Sequence, residues 1–234
     1  MSRGPWIGAP IVAIGLAVLG SVAALTAASS STQALERVLA KSNEPAPPAY
    51  RALRRLEGGV TGADKRGWLE AWTEYRPGVG LTFEVVREGG TEYVRNKILR
   101  RMLESEQQLL ASGRRVRASL ESKNYQFEDG GRTEAGLQRI ILKPAKKSDG
   151  IVSGSALLDP ATGLVTTIQG RLVKSPSFWL RDVDVTWTFG HINGYVVPLE
   201  MSSTGRVRMF GRSNFKMVYQ YESIDGQPAA VASR

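Results

Sequence analysis

The chain of 234 residues contains no cysteine and only one histidine, His191. Without cysteine there is no disulfide, no thiolate nucleophile and no zinc–thiolate site. A single histidine is too few for a histidine metal cluster, and no Gly-x-Ser-x-Gly motif accompanies it. The glycines around His191 predict a hairpin loop there. The sequence therefore predicts no metal, no cofactor, no catalytic residue and a protein that is not an enzyme.

Only one long hydrophobic run occurs, at residues 11–24. It follows the positive charge of Arg3 and precedes small residues, with Thr26 and Ala28 at the spacing of a cleavage site. We therefore expect a signal peptide over residues 1–28 and a periplasmic protein. A retained N-terminal anchor is the alternative, although the run is short for a full membrane span.

Acidic residues are outnumbered: 22 Asp and Glu face 31 Lys and Arg, for a net charge of +9. In a cytosolic protein this surplus favours nucleic-acid binding. An exported protein meets anionic lipid head groups instead. We expect transient contact with a membrane surface and no nucleic-acid partner; a basic surface without a specific partner is the simpler alternative.

The second half of the chain is rich in alternating strands. In Asp182–Phe189, valine, tryptophan and phenylalanine fall on one face, and Asp and Thr fall on the other. Nine or ten such strands are expected within residues 49–226, most at antiparallel hairpin spacing. Because so many strands curl, close or split, the predicted fold class is mainly β (α+β), a strongly curved antiparallel sheet or incomplete barrel. Residues 29–48 predict a short helix and a Pro-rich linker, and residues 227–234 a flexible tail.

One long helix, about Glu92–Ala111, is expected to cover the concave face of this sheet. Thr91 is the predicted N-cap and Gly113 the predicted stop. Its apolar side is broad, yet Arg95 and Glu106 fall inside it, where an unpaired charge is costly. Each either pairs with a strand residue or reaches the rim, or else it lines a cavity and contacts the head group of a ligand.

Several segments follow one another in a recognisable order. They are the short helix Ala34–Ala40, the strand-like Tyr50–Leu53, the hairpin Trp68–Val86, the long helix, and then Ala156–Val165, Asp182–Phe189, Gly194–Leu199 and Tyr219–Gly226. This order resembles the outer-membrane lipoprotein-sorting (LolA-like) superfamily of periplasmic proteins over roughly the whole mature chain. The resemblance implies a half-barrel with helices across its opening, whose cavity carries lipoprotein acyl chains or other lipids, or which serves periplasmic regulation.

We therefore predict a periplasmic, monomeric carrier for a lipid or lipoprotein acyl chain, exchanged with membrane-bound donor or acceptor proteins. The alternative is a protein-interaction or envelope-stress sensor module on the same fold, without lipid transfer. Aromatic residues, including Trp68 and Trp72, are core by default, but rigid aromatics and adaptable methionines also suit a greasy pocket. The predicted cavity residues are Phe83, Val85, Val94, Ile98, Met102, Val183, Val185, Trp187, Phe189, Tyr195, Met201, Phe215, Met217 and Tyr219. Arg95 and Glu106 are candidate head-group contacts.

Overall fold

The computed structural model describes Leu35, Leu39 and residues 49–61, 65–113, 119–175, 180–207 and 211–229. The predicted signal peptide, most of the predicted short helix and linker, and residues 230–234 lie outside the described residues. Most of the described residues belong to strands, and one helix of 20 residues lies between two of these strands in the chain.

The strands form one antiparallel sheet that does not close into a barrel. Their order across the sheet is β3-β2-β1-β10-β9-β8-β7-β6-β5-β4, with β11 paired to β10. The bounds are β1 Tyr50–Thr61, β2 Lys65–Arg76, β3 Gly80–Gly90, β4 Tyr125–Arg132, β5 Gln138–Pro144, β6 Val152–Leu158, β7 Val165–Leu172, β8 Leu180–Ile192, β9 Tyr195–Val207, β10 Gly211–Ile224 and β11 Gln227–Pro228. The predicted curved antiparallel sheet is confirmed.

Short turns explain why consecutive strands pair. Asn193 and Gly194 join β8 to β9, and both have positive φ (51° and 86°), as a tight hairpin turn requires. The turn is shorter than the sequence suggested, because His191 still belongs to β8 and lies opposite Val196. The prediction that His191 lies in the hairpin loop is therefore wrong, because the residue lies near the end of β8, two residues before the turn. Its side chain is exposed.

The helix α1 occupies residues 92–111, as predicted. It consists of an α-helical turn Glu92–Val94, a π-helical segment Arg95–Leu99 and an α-helix Arg100–Ala111. Thr91 has the extended backbone of an N-cap, but its side chain makes no capping hydrogen bond. Gly113 follows the helix with φ of 69°, a conformation that favours glycine. We call the face of the sheet that contacts α1 the inner face, and the opposite one the outer face.

The inner face carries two apolar clusters. The α1 cluster contains the buried residues Leu56, Leu69, Ala71, Val94, Leu99, Leu103 and Met217. The meander cluster contains Leu39, Leu120, Tyr125, Phe127, Ile140, Leu142, Ile151, Val152, Ala156, Leu158, Val165, Ile168, Val183, Val185 and Trp187. Both clusters lie on one continuous sheet, but helical residues from different parts of the chain cover them.

Strand β8 has the two faces that its sequence indicates. On the inner face, the exposed fractions of Val183, Val185 and Trp187 are only 4%, 3% and 9%. On the outer face, the Asp184 carboxylate accepts a hydrogen bond from Arg171 at 2.9 Å. Burying a valine side chain contributes about 1.5–3 kcal/mol. The alternation predicted from Asp182–Phe189 is therefore confirmed.

Two tryptophans depart from the expectation that aromatic residues are core. Trp68 and Trp72 are half-buried on the outer face of β2. The guanidinium of Arg55 lies 4.7 Å from the Trp68 ring, and that of Arg51 lies 4.2 Å from the Trp72 ring. Cation–π contacts of this kind stabilise a partly exposed ring. The two arginines therefore shield the tryptophan rings on the outer face of the sheet.

Candidate functional site

A row of half-buried side chains lies where the two clusters of the inner face meet. We call this row the seam; it consists of Phe189, Met201, Phe215 and Tyr219. Met201 lies opposite Trp187 on one side and Met217 on the other, and it packs against both clusters. The inner face is thus continuous and apolar across the seam, but less deeply covered there.

Different helical residues cover the two sides of the seam. On one side, Val94, Leu99 and Leu103 of α1 are buried in the α1 cluster. On the other side, Leu39 is fully buried and Leu35 partly buried against the meander cluster, and both are helical. The seam therefore lies between two separately covered parts of one face.

The structure brings most of the predicted cavity residues to this face. Val183, Val185, Trp187 and Phe189 belong to or pack against the meander cluster; Phe83, Val85, Val94, Ile98, Phe215, Met217 and Tyr219 do so for the α1 cluster; Met201 contacts both. Met102 on α1 is half-buried and belongs to neither. Tyr195 lies by the β8–β9 turn, where its hydroxyl is 3.3 Å from a carboxylate oxygen of Asp225.

Both charges on the apolar side of α1 pair with strand residues, one of the alternatives that the sequence left open. Arg95 binds Glu88 of β3, with Nη1 and Oε1 2.5 Å apart, and Arg100 binds the other oxygen of Glu88 at 2.9 Å. Glu106 binds Arg54 of β1. These pairs join the helix to the strands beneath it.

Arg54 is the most deeply buried charge described on the inner face, with 1% of its surface exposed. Its Nη1 donates to Oε2 of Glu106 at 2.6 Å, and its Nη2 donates to Oε1 of Glu106 at 3.2 Å and to the Tyr50 hydroxyl at 2.7 Å. Its guanidinium lies 4.5 Å from the centre of the Tyr219 ring. The carboxylate and the aromatic face together offset the cost of burying the cation.

Tyrosines enclose this ion pair. Tyr219 stacks on Tyr221 with ring centres 6.0 Å apart, and Tyr50 meets Tyr221 edge to face at 5.9 Å. We call Arg54, Glu106, Tyr50, Tyr219 and Tyr221 the arginine cluster. Tyr219 belongs to the seam as well, so the cluster and the seam share a wall.

Burial sets the protonation of the arginine cluster. It raises the pKa of Tyr219, Tyr221 and Tyr50, so these phenols stay neutral. Burial acts to lower the pKa of Arg54, but the charge and the hydrogen bonds of Glu106 hold that pKa well above its usual range. The cluster therefore contains one fixed cation, Arg54, among neutral phenols.

Comparison with solved structures finds similar folds at low sequence identity. Structures of the LolA superfamily are similar to this chain. A LolA superfamily protein from Nitrosomonas europaea is 8% identical, with a TM-score of 0.43 over 80% of this chain and 91% of its own. A domain from Vibrio parahaemolyticus, described as an outer membrane lipoprotein-sorting protein, is 12% identical, with a TM-score of 0.43 over 83% and 94%. A DUF1329 family protein from Desulfovibrio piger is 10% identical, with a TM-score of 0.42 over 87% and 95%.

No family model matches the chain, and neither does any curated protein. The LolA-like resemblance seen in the sequence is found again among solved structures. At these identities and TM-scores, the fold of this chain rests on its own strand pairing, and its function must be argued from its own residues.

Neither a metal centre nor a spanning helix is found in the part of the chain that the structure describes. There, no three His, Asp or Glu side chains converge on a point where an ion would be held. The described helical residues include no stretch with the length and hydrophobicity needed to traverse a bilayer.

Sequence patterns did not reveal Arg54 or the tyrosines around it. Residues 50–56 fit a strand or a helix equally well, because three arginines interrupt the pattern. As a strand, Tyr50, Ala52, Arg54 and Leu56 share one face, and this is the inner one. The signal available was Glu106: a carboxylate on an apolar helix face predicts a buried cation on the surface beneath it.

Proposed function

We propose that this protein is a periplasmic carrier that binds the acyl chain of a lipid or lipoprotein along the seam. The observation that carries the proposal is the seam itself, a half-buried apolar row between two separately covered clusters. A face that only closed a core would gain by burying Phe189, Met201, Phe215 and Tyr219 fully. Methionine and aromatic side chains also adapt to a flexible chain.

The energy available is adequate for a carrier. Burying ten methylene groups at about 0.8 kcal/mol each gives a gross gain of about 8 kcal/mol. The loss of freedom on binding offsets several kcal/mol of this gain. The remainder corresponds to reversible binding, which a protein that must also release its cargo requires.

The carrier proposal includes the cellular setting expected from the sequence. After export, a basic monomer approaches an anionic membrane surface, takes up its cargo from a donor and releases it to an acceptor, without a cofactor. Movement of α1 over the α1 cluster is the step that admits the chain. The structural similarity to LolA superfamily proteins is compatible with this setting but does not carry it.

Native mass spectrometry of the purified protein, followed by lipid extraction, tests the proposal. We expect co-purified lipid, and saturable binding of a fluorescent fatty acid by delipidated protein. Phe215→Asp, which places a charge in the seam, should weaken binding at least tenfold. Asn214→Asp is the matched control, because it adds the same charge to the outer face of the same strand.

Both variants are first compared by circular dichroism and thermal melting, so that weaker binding is not confused with unfolding. Absence of extracted lipid together with absence of fatty-acid binding would contradict the carrier. It would favour the alternative, a protein-interaction or envelope-stress sensor module. Equal weakening by the two variants would place the ligand outside the seam.

A further inference from the structure

We propose that the arginine cluster is a binding site for the carboxylate head group of a single-chain fatty acid, which replaces Glu106 on Arg54. The inference rests on the proposed function, because the acyl chain of this ligand would lie along the seam. It adds a substrate class: an amphiphile with an anionic oxygen head and one alkyl chain. Four features of the cluster support it.

The guanidinium already holds a carboxylate through two of its donors, which is the kind of contact that the ligand would make. Nη1 and Nη2 of Arg54 reach the two oxygens of Glu106 at 2.6 and 3.2 Å. Two parallel hydrogen bonds of this kind are the preferred arrangement of arginine with a carboxylate. A fatty-acid carboxylate has the same two oxygens, so the site needs no new donor to accept it.

One donor of Arg54 is left over. The Nε–H is buried and has no hydrogen-bond partner among the described residues. A buried unpaired donor costs about 1–3 kcal/mol, and structures rarely retain one without a reason. A ligand carboxylate is not tethered to α1, so it can turn to bridge Nη2 and Nε and satisfy this donor, which Glu106 does not contact.

The pair is accessible from the Glu106 side. The Arg54 side chain is 1% exposed, but that of Glu106 is 17% exposed. Tyr50, Tyr219 and Tyr221 around it are only half-buried. Glu106 can therefore exchange its place for water, whereas Arg54 remains fixed in the sheet.

Exchanging one carboxylate for another avoids the main cost of opening a buried ion pair. Removing the only partner of a buried charge destabilises a protein by several kcal/mol. Here the cation keeps an anionic partner before and after the exchange. The alkyl chain that follows the head group then meets Tyr219, which borders both Arg54 and the seam.

Displacement of the uncharged probe 1-aminoanthracene by palmitic acid and by 1-hexadecanol at pH 8 tests the site. The two ligands share one alkyl chain and differ in head-group charge. We expect the wild-type protein to bind palmitate at least fivefold more tightly than hexadecanol. In Glu106→Gln, which removes the competing carboxylate, palmitate affinity should rise at least threefold while hexadecanol affinity stays unchanged.

Glu104→Gln is the matched control. It makes the same substitution on the same helix, but Glu104 pairs at 3.6 Å with Arg101 on the exposed side. It should leave both affinities unchanged. Thermal melting gives a second readout: palmitate should raise the melting temperature of Glu106→Gln more than that of wild type, and hexadecanol should not. Arg54→Met, if it folds, should bind both ligands equally.

The possible failures are distinguishable. Displacement of the probe by neither ligand would overturn the carrier function itself. Equal binding of palmitate and hexadecanol, unaffected by Glu106→Gln, would leave the carrier standing and overturn the carboxylate site. The same result follows if Glu104→Gln raises palmitate affinity as much as Glu106→Gln does, because the effect would then belong to general surface charge.

Discussion

Tyr219 shows how one side chain can stabilise the fold in two ways that are separable by experiment. Its ring covers the Arg54 guanidinium at 4.5 Å, and its hydroxyl lies in surroundings that disfavour ionisation. Burial raises its pKa above the usual value near 10, and Glu106 adds to this, while Arg54 opposes it. Folding therefore favours the neutral phenol, and alkaline conditions work against the folded state.

Tyr219→Phe tests this reasoning, because it keeps the ring and removes only the hydroxyl. Above pH 10 the unfolded chain loses the phenolic proton while the folded chain retains it, so wild-type stability falls as pH rises. The variant has no phenol at this position, so its free energy of unfolding lacks this decrease of up to about 1.4 kcal/mol per pH unit. Urea unfolding between pH 8 and 11 should give equal stabilities at pH 8 and diverging ones above pH 10. Parallel curves throughout would contradict the assignment.

The contact between α1 and the sheet depends on small residues beneath the helix. Gly58 and Gly67 are paired neighbours on β1 and β2. A methyl group at Gly67 would lie 3.1 Å from Cβ of Val94, and one at Gly58 would lie 3.5 Å from Leu99. Val94 is fully buried and 3.1 Å is closer than an ordinary carbon contact, so the missing side chain at Gly67 sets how closely the helix approaches. The 3.5 Å at Gly58 is an ordinary contact.

The π-helical segment explains why both Val94 and Leu99 face the sheet. In an ideal α-helix, residues five apart differ in direction by about 140°. In a π-helix the bond from residue i to i+5 aligns such residues more closely. The π-helical segment begins directly after Val94 and ends at Leu99, so the local widening of α1 lets both side chains reach Gly58 and Gly67.

Gly67→Ala should destabilise the protein by about 1–3 kcal/mol, because the added methyl overpacks against Val94. Combining it with Val94→Ala should recover part of this loss, since the second change removes the atoms that clash. We expect the free energy of unfolding of the double variant to exceed the additive value by at least about 0.5 kcal/mol. Chemical denaturation of the four proteins gives the comparison, and strict additivity would exclude the direct contact.

The sequence predicts strands and the extent of α1 better than it predicts what they bury. Alternation in β8 and the apolar period of α1 are local, so they identify the inner residues Val183, Val185 and Leu103. The Arg54–Glu106 pair joins residues far apart in sequence. Which strand residue lies beneath Glu106 depends on the register of β1, which the sequence does not reveal. The 100° period also puts Val94 and Leu99 on the broad apolar side of α1, but it assumes an unbroken α-helix, so the π-helical segment between them was not predicted.

The charge of +9 is a property of the whole molecule that no single element explains. Many of its cations are paired: Arg51, Arg55, Arg171 and Lys174 each contact a carboxylate at 2.5–3.0 Å. Lys146 and Lys147 are exposed and border an open groove of about 640 Å³ with Arg171. The surplus of positive charge acts at long range, so added salt should screen its effect.

We therefore expect binding to anionic vesicles that depends on total charge rather than on one site. Co-sedimentation with vesicles containing phosphatidylglycerol should show binding at 20 mM NaCl that falls at least fivefold at 300 mM, and vesicles of phosphatidylcholine alone should show little. Removing two cations in Lys146→Gln/Lys147→Gln should weaken binding by up to about thirtyfold without abolishing it, because each basic residue contributes about 1 kcal/mol near the surface. Abolition of binding by that double variant would place the membrane contact at the groove, and binding insensitive to salt would exclude electrostatic attraction as its cause.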